Sequence, residues 1–248
     1  MRRQNGPWLW LLLLFGTLIG LWLLFYPAVN RTVFRWETAR TIQDWEETLE
    51  TARETGGQVE TSLYPELHQA MTEYNRQLAE NGQAGLTGPE AYEAAALHLP
   101  DYGLEEDTPV AVLSIPTIGL ELPVYLGATQ EHFSKGAAVL GETSLPIGGE
   151  DTNCVLAGHR GYRGIPYFRH LDRLERGDLV YLTTFWGKMA YAVTETEIIL
   201  PNEIEVILIQ EGQDLLTLLT CHPYGAIPQP GSSVDREIEV KMEIGAKR

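Results

Sequence analysis

The chain is short of several things, and each shortage removes a class of function. Only two cysteines occur in 248 residues, Cys154 and Cys221. A disulfide framework is therefore not what holds the chain together, and a chain this long does not need one. There is no C-x2-C pair, so a zinc site would have to be built from two cysteines and two histidines at no recognisable spacing. Basic residues are scarce, 18 against 34 acidic ones, for a net charge of −16. Every acidic residue lies beyond position 30, together with 16 of the basic ones. So acidic a body excludes nucleic acid as a partner, because that requires a basic face. The chain also lacks a phosphate-cradling glycine motif, a serine elbow and any internal repeat. After Val29 no run approaches the roughly 18 apolar residues that a membrane helix needs.

One such run is present, at the start. Trp8 to Val29 carries no charge, is rich in leucine, and places Trp8, Trp10, Trp22 and Tyr26 toward its ends. As a helix it spans about 33 Å, enough for the hydrocarbon core. The aromatics fit the interfacial belts. The apolar region of a cleaved signal peptide is usually only about 7–15 residues, so a retained anchor is expected. Arg2 and Arg3 precede it, and the positive-inside rule keeps such a short basic N-terminus in the cytoplasm. The expected localisation is the cell membrane, single-pass, with the body extracytoplasmic.

Four segments are expected: 1–30, a cytoplasmic tip and transmembrane signal-anchor helix; 31–82, N-terminal helices; 83–108, a lid or linker; and 109–248, a β-barrel that holds the candidate site residues. Ile42, Trp45, Leu49 and Ala52 recur at helical spacing, and Gly56–Gly57 ends that pattern. Leu63, Leu67, Met71, Tyr74 and Leu78 form a second stripe, ended by Asn81–Gly82. Together they predict a helical hairpin lying on the main domain. Residues 83–108 have weak periodicity, and at that length a connection is often a lid or binding loop. Beyond them, β-rich runs alternate with turns: 109–115, 120–125, 136–140, 153–159, 178–184, 188–195, 215–221 and 236–244. Many short strands at such spacing predict a closed barrel or a sandwich. A single helical turn is expected at Asp172–Arg176.

The stretch Leu215 to Gly225, LLTLLTCHPYG, is the most informative. It reads as a buried strand that must stop at or before Pro223, because proline cannot continue a central ladder. Cys221 then sits at the strand lip, where a scaffold presents reactive groups to a cleft. Taken alone, a cysteine is more often a small buried hydrophobe, which is the reading for Cys154 inside its strand. His159 changes the balance, since it ends the strand NCVLAGH and is followed by Arg160–Gly161. His68 lies on the polar part of a helix, and His98, His132 and His170 sit in loop contexts. His222 adjoins Cys221, but neighbours in extended chain point to opposite faces. A Cys and a His at two strand ends are the elements of an activated thiol nucleophile. Arg236, opening the strand after the Cys221 loop, is the candidate anion stabiliser.

These residues carry a family resemblance. TLLTC (Thr217 to Cys221) matches the TLxTC signature of sortases, and GHRG (Gly158 to Gly161) carries their histidine. With IPTIGLELPVY (Ile115 to Tyr125), GETSLPIGG (Gly141 to Gly149) and CHPYG (Cys221 to Gly225), the chain resembles class C sortases, the pilin polymerases of Gram-positive bacteria. The resemblance runs from about Tyr64, through Tyr74–Asn75, to about Glu243. It implies a mainly β fold, an eight-stranded sortase barrel with an N-terminal helical hairpin and one transmembrane helix. It implies catalysis by Cys221, His159 and Arg236, and it makes Thr220 the substrate-binding candidate. The lid of the family aligns with LTGPEAY (Leu86 to Tyr92), where Gly88 replaces an aspartate and Glu90 an aromatic beside Pro89. Glu90 and Tyr92 are the residues left to latch it, so a loose lid is expected. The reaction implied is cleavage of an LPXTG-like signal through a thioester and transfer to an amine, with no metal or cofactor. The implied partners are sorting-signal-bearing surface or pilin proteins, with a pilin lysine or a cell-wall peptide as amine donor. Two alternatives stay open: a sortase that anchors proteins to the wall, and a non-catalytic membrane-tethered adaptor.

Overall fold

The computed structural model describes residues 7–56, 63–86, 89–199, 204–222, 237–239 and 244–246. The apolar N-terminal run and the first amphipathic stripe form a single helix, α1 (Pro7–Gly56), rather than a span followed by a separate helix. Nothing between Val29 and Gly56 breaks it, since its one internal proline is Pro27. Its two halves meet different surroundings. Trp8 to Val29 presents its large apolar side chains outward, whereas Ile42, Trp45 and Leu49 are buried in the main core. The second helix, α2 (Pro65–Glu80), starts with proline in its first turn, where the missing N–H costs nothing. It buries Leu67, Met71, Asn75 and Leu78 along one face.

The rest is the expected mainly β barrel. Among the described residues it contains ten strands: β1 (Ala111–Ile115), β2 (Leu120–Leu126), β3 (Ala137–Val139), β4 (Thr152–Ala157), β5 (Leu179–Thr184), β6 (Gly187–Val193), β7 (Ile198–Ile199), β8 (Asp214–His222), β9 (Glu237–Glu239) and β10 (Ile244–Ala246). Their order is β10-β6-β5-β1-β2-β3-β4-β8-β9-β7. β10 also comes alongside β8, so the sheet nearly closes on itself. β1 and β4 are buried along almost their whole length, as strands covered on both faces must be. β5 instead alternates, burying Val180, Leu182 and Thr184.

Three expectations change in detail. Of the final run 236–244 the described residues are Glu237–Glu239, in β9, which pairs with β8 and β7, and Ile244, which opens β10, paired with β6. The helical turn lies earlier than Asp172–Arg176, as a short 3-10 helix at Tyr167–Arg173. His132 is not in a loop but in α4 (Gln130–Lys135), capped by the Thr129 hydroxyl, with its Nδ1 2.8 Å from the Gly127 carbonyl.

Two tertiary locks hold the helices on the barrel. The β5–β6 hairpin tip buries Phe185 against Trp45 of α1 and Tyr64 before α2, and Trp186 Nε1 donates to the Leu63 carbonyl at 2.6 Å. Asn75 acts as a piece of strand. Its Oδ1 accepts from Leu145 N–H at 2.7 Å and its Nδ2 donates to the Leu145 carbonyl at 3.2 Å, in a buried setting. Asn75→Leu strands both peptide groups without water. Each orphaned group costs about 1–3 kcal/mol, so a loss of about 2–4 kcal/mol is expected. Urea unfolding of the detergent-solubilised chain measures it, and a loss under about 0.5 kcal/mol would refute the lock.

Candidate active site

β4 and β8 run parallel, in a register that pairs Thr152 with Asp214 and ends by pairing Ala157 with Leu219. The pairing continues past the last strand residue of β4, because Gly158 N–H donates to the Leu219 carbonyl at 3.1 Å. Continuing that register by two more residues on each strand sets His159 level with Cys221. Adjacent strands lie about 4.8 Å apart, so the two candidate residues leave neighbouring strand ends at the same level. Thr220 fastens the ends together: it is buried, and its Oγ1 donates to the Gly158 carbonyl at 2.8 Å. The hydroxyl expected to meet substrate is therefore engaged inside the protein, where it positions the two strand ends.

Cys221 is an exposed free thiol, and β8 runs one residue further to His222, as the following proline requires. Cys154 is buried, and burial pushes its thiol pKa far up, so it has no thiolate to offer. On the far side of β8, Cys221 pairs with Ile238 of β9. Arg236 lies outside the described residues, but the chain resumes at Glu237, opposite His222. Of the other nearby cations, Arg160 is almost buried, with its guanidinium 3.4 Å from the Asp172 carboxylate.

His159 is half-buried among aromatic rings. Tyr162 stacks on it at 4.9 Å between centroids, Phe133 of α4 lies at 5.5 Å, and Tyr167 meets it edge-on at 5.7 Å. Its carbonyl accepts from Phe168 N–H at 3.0 Å. The Tyr167 hydroxyl donates to the Ser134 carbonyl at 2.9 Å, which fixes that wall of the cage. Burial lowers the His159 pKa below the ordinary imidazole value, because the apolar rings disfavour the charged form. The ring is thus a neutral base unless an anion, such as a thiolate, is placed beside it. Sequence reasoning missed this cage. The aromatic-rich run GYRGIPYF after His159 was the available signal.

The lid segment forms a short helix, α3 (Pro89–Glu93). Gly88 lies outside the described residues, and Pro89 and Glu90 are placed in this helix. Tyr92 is half-buried against a second apolar cluster of Ala128, Ala138, Leu140, Val155, Ile199, Ile207 and Leu219. Its carbonyl accepts two backbone N–H groups, from Gly141 at 3.0 Å and from Ala128 at 3.2 Å. The segment thus lies over the apolar surface next to the ends of β4 and β8.

Residues 113–233 match the family model of the sortase domain. That stretch is similar to a sortase domain. The chain is 31% identical over 138 residues to sortase A of Bacillus anthracis, across 53% of this chain and 64% of that one. The chain spans between 45% and 64% of the length of the curated relatives it matches. Solved structures extend the likeness beyond the domain core. Sortase C1 of GBS pilus island 1 superposes with a TM-score of 0.67 at 25% identity, over 85% of this chain and 92% of that one. Sortase C of Clostridium perfringens, solved with a C-terminal cell wall sorting motif, gives 0.65 at 29% identity, over 85% and 99%. The matched stretch begins within β1 and takes in both His159 and Cys221. The likeness to sortase C structures reaches past that stretch.

Proposed function

We propose that the chain is a membrane-anchored cysteine transpeptidase that cleaves an LPXTG-like sorting signal and transfers it to an amine, a pilin lysine. The observation that carries this reading is the exposed Cys221 at the end of β8, in parallel register with the end of β4 that leads to His159. The likeness to sortase C structures supports the pilin reading over wall anchoring. The long uncharged, outward-facing half of α1 supports the anchor, with the N-terminus cytoplasmic and the barrel outside.

In the proposed reaction the Cys221 thiolate attacks the carbonyl carbon of the Thr–Gly bond. The C–N bond breaks, and the His159 imidazolium gives its proton to the leaving glycine amine, leaving a thioester. An incoming amine then attacks the thioester. His159 takes the amine proton as the C–S bond breaks and the thiolate returns. Arg236 stabilises the oxyanion in both steps. Apolar walls around His159 keep water from the thioester while the amine approaches.

The test is an assay of an LPXTG peptide with hydroxylamine as the amine. Cleavage that depends on Cys221 and yields the peptide hydroxamate supports the reading. Release of the acid alone, or no cleavage, counts against transpeptidation. Within this assay Arg236→Lys keeps the charge but loses the planar fork, so most activity should go. Full activity in Arg236→Ala, together with its loss in Arg160→Ala, would move the oxyanion role to the other arginine.

A further inference from the structure

The end of the membrane-spanning half of α1 is visible in its residues. The uncharged run stops at Val29, and the first cation after it is Arg31. Residues 27–31 therefore mark the level at which the helix leaves hydrocarbon. At that level the turn following His159 is fastened to the helix. Asn30 Nδ2 donates to the Arg163 carbonyl at 2.8 Å, and Arg31 Nε donates to the Gly164 carbonyl at 3.0 Å. Gly164 comes so near that a Cβ there would lie 3.1 Å from the Pro27 side chain. The turn is rigid, closed by reciprocal backbone bonds between Tyr162 and Ile165 at 3.0 and 2.9 Å.

The turn's chemistry is unusual for its shape. Its two central residues, Arg163 and Gly164, both have positive φ, 48° and 87°. Such a turn favours Asn-Gly or Gly-Gly, and arginine gains nothing from it locally. What arginine gives is an exposed guanidinium at the tip, 5.0 Å over the ring of Tyr162, which is itself 43% exposed. Exposed Arg35 and Trp36 follow on α1, little more than a turn beyond Arg31. Tyr, Trp and Arg are the residues that settle in the headgroup layer. In a body with so large an excess of acid, a cationic and aromatic tip at this level is a local exception.

We infer that the Tyr162–Gly164 turn is a second membrane contact, in which the Tyr162 ring and the Arg163 guanidinium engage phospholipid headgroup phosphates of the bilayer that α1 crosses. This rests on reading α1 as a membrane span. Because Tyr162 stacks on His159, the contact sets the candidate active site at the membrane surface. The barrel is then held by two points, one helix and one turn, and does not swing freely on its anchor.

The full chain in nanodiscs of phosphatidylglycerol and phosphatidylcholine provides the test, with photoreactive benzoylphenylalanine replacing one residue at a time. Tyr162 is the probe position, Trp22 in α1 is the membrane control, and exposed Lys188 is the distant control. Lys188 belongs to the hairpin whose tip meets Trp45, about 24 Å along α1 from Val29 at about 1.5 Å per residue. Phospholipid adducts are expected at positions 162 and 22 and not at 188. Adding Arg163→Glu should lower the adduct at 162 at least threefold and leave that at 22 unchanged. An adduct at 22 without one at 162 overturns the second contact while the anchor stands. No adduct at either overturns the span, and the inference with it. An undiminished yield at 162 in Arg163→Glu removes the guanidinium from the contact.

Discussion

Cys221→Ala is expected to lower peptide cleavage by about a thousandfold or more, with the fold unchanged. Removing a nucleophile removes the covalent route altogether, and what remains is substrate binding and the surrounding dipoles. Cys221 is exposed at the end of β8, so truncating it leaves no cavity in the core. Substitutions at such sites change stability by about 0.5 kcal/mol or less, so the unfolding midpoint should stay put. His159→Ala should cost about a hundredfold to ten-thousandfold, the range of general acid–base contributions. It differs in one respect, because His159 fills a cage of Phe133, Tyr162 and Tyr167. His159→Gln, which keeps more of the side-chain volume, separates lost proton transfer from a slackened cage. Cleavage by the Cys221→Ala protein at the wild-type rate would end the nucleophile assignment.

That Cys221 and His159 were legible at all has a simple cause. Each lies where an apolar run meets a breaker, Pro223 in one case and the Arg160–Gly161 turn in the other, and breakers are the most reliable local signal. Parallel pairing of the two strands then brings the ends together, which neither run announces by itself. The continuity of α1 was harder to read. Composition changes sharply near residue 30, from leucines to charges, but a change of solvent is not a change of backbone. Pro27 lies inside the helix without ending it, and no glycine or proline follows before Gly56, so it goes on for several more turns into the barrel's flank. Among the described residues β7 is two residues long and pairs with β9 alone, so no periodicity can reveal it. That β9 and β10 meet different neighbours is likewise a tertiary choice that the sequence does not display. Arg236 falls outside the described residues. It rests on its match to the family pattern and on the pairing of Glu237 opposite His222. The aromatic cage was missed because Phe133 comes from a distant helix and the two tyrosines depend on the chain doubling back within eight residues. The rigid Tyr162–Ile165 turn and the positive φ of Tyr167, 40°, bring that about.

Gly141→Ala is expected to open the lid, and its signature should be a rise in peptide kcat/KM of about tenfold. A Cβ at this position would fall on the Ala91 carbonyl oxygen and within 2.7 Å of the Ala94 carbonyl oxygen. Both are backbone atoms of the lid segment, so no side chain can swing aside to relieve the clash. The same shift breaks the bond from Gly141 N–H to the Tyr92 carbonyl and pulls the Tyr92 ring off the second apolar cluster. Overpacking costs about 1–3 kcal/mol, and about 1.4 kcal/mol raises a minor open population tenfold. The surface uncovered includes Leu219 and its neighbour Ala157, which lead directly to Cys221 and His159. An apolar stretch of bound peptide would replace Tyr92 there. Cys221 is already exposed with α3 in place. A small thiol reagent should therefore label Cys221 at nearly the same rate, within about twofold, in wild type, in Gly141→Ala and after deletion of residues 84–100. The two readouts separate covering the peptide surface from covering the sulfur. Labelling that climbs by orders of magnitude on deletion would mean a tight latch over the thiol, with Glu90 and Tyr92 the first residues to mutate. Unchanged peptide kinetics in a folded Gly141→Ala protein would mean that the lid does not compete with substrate.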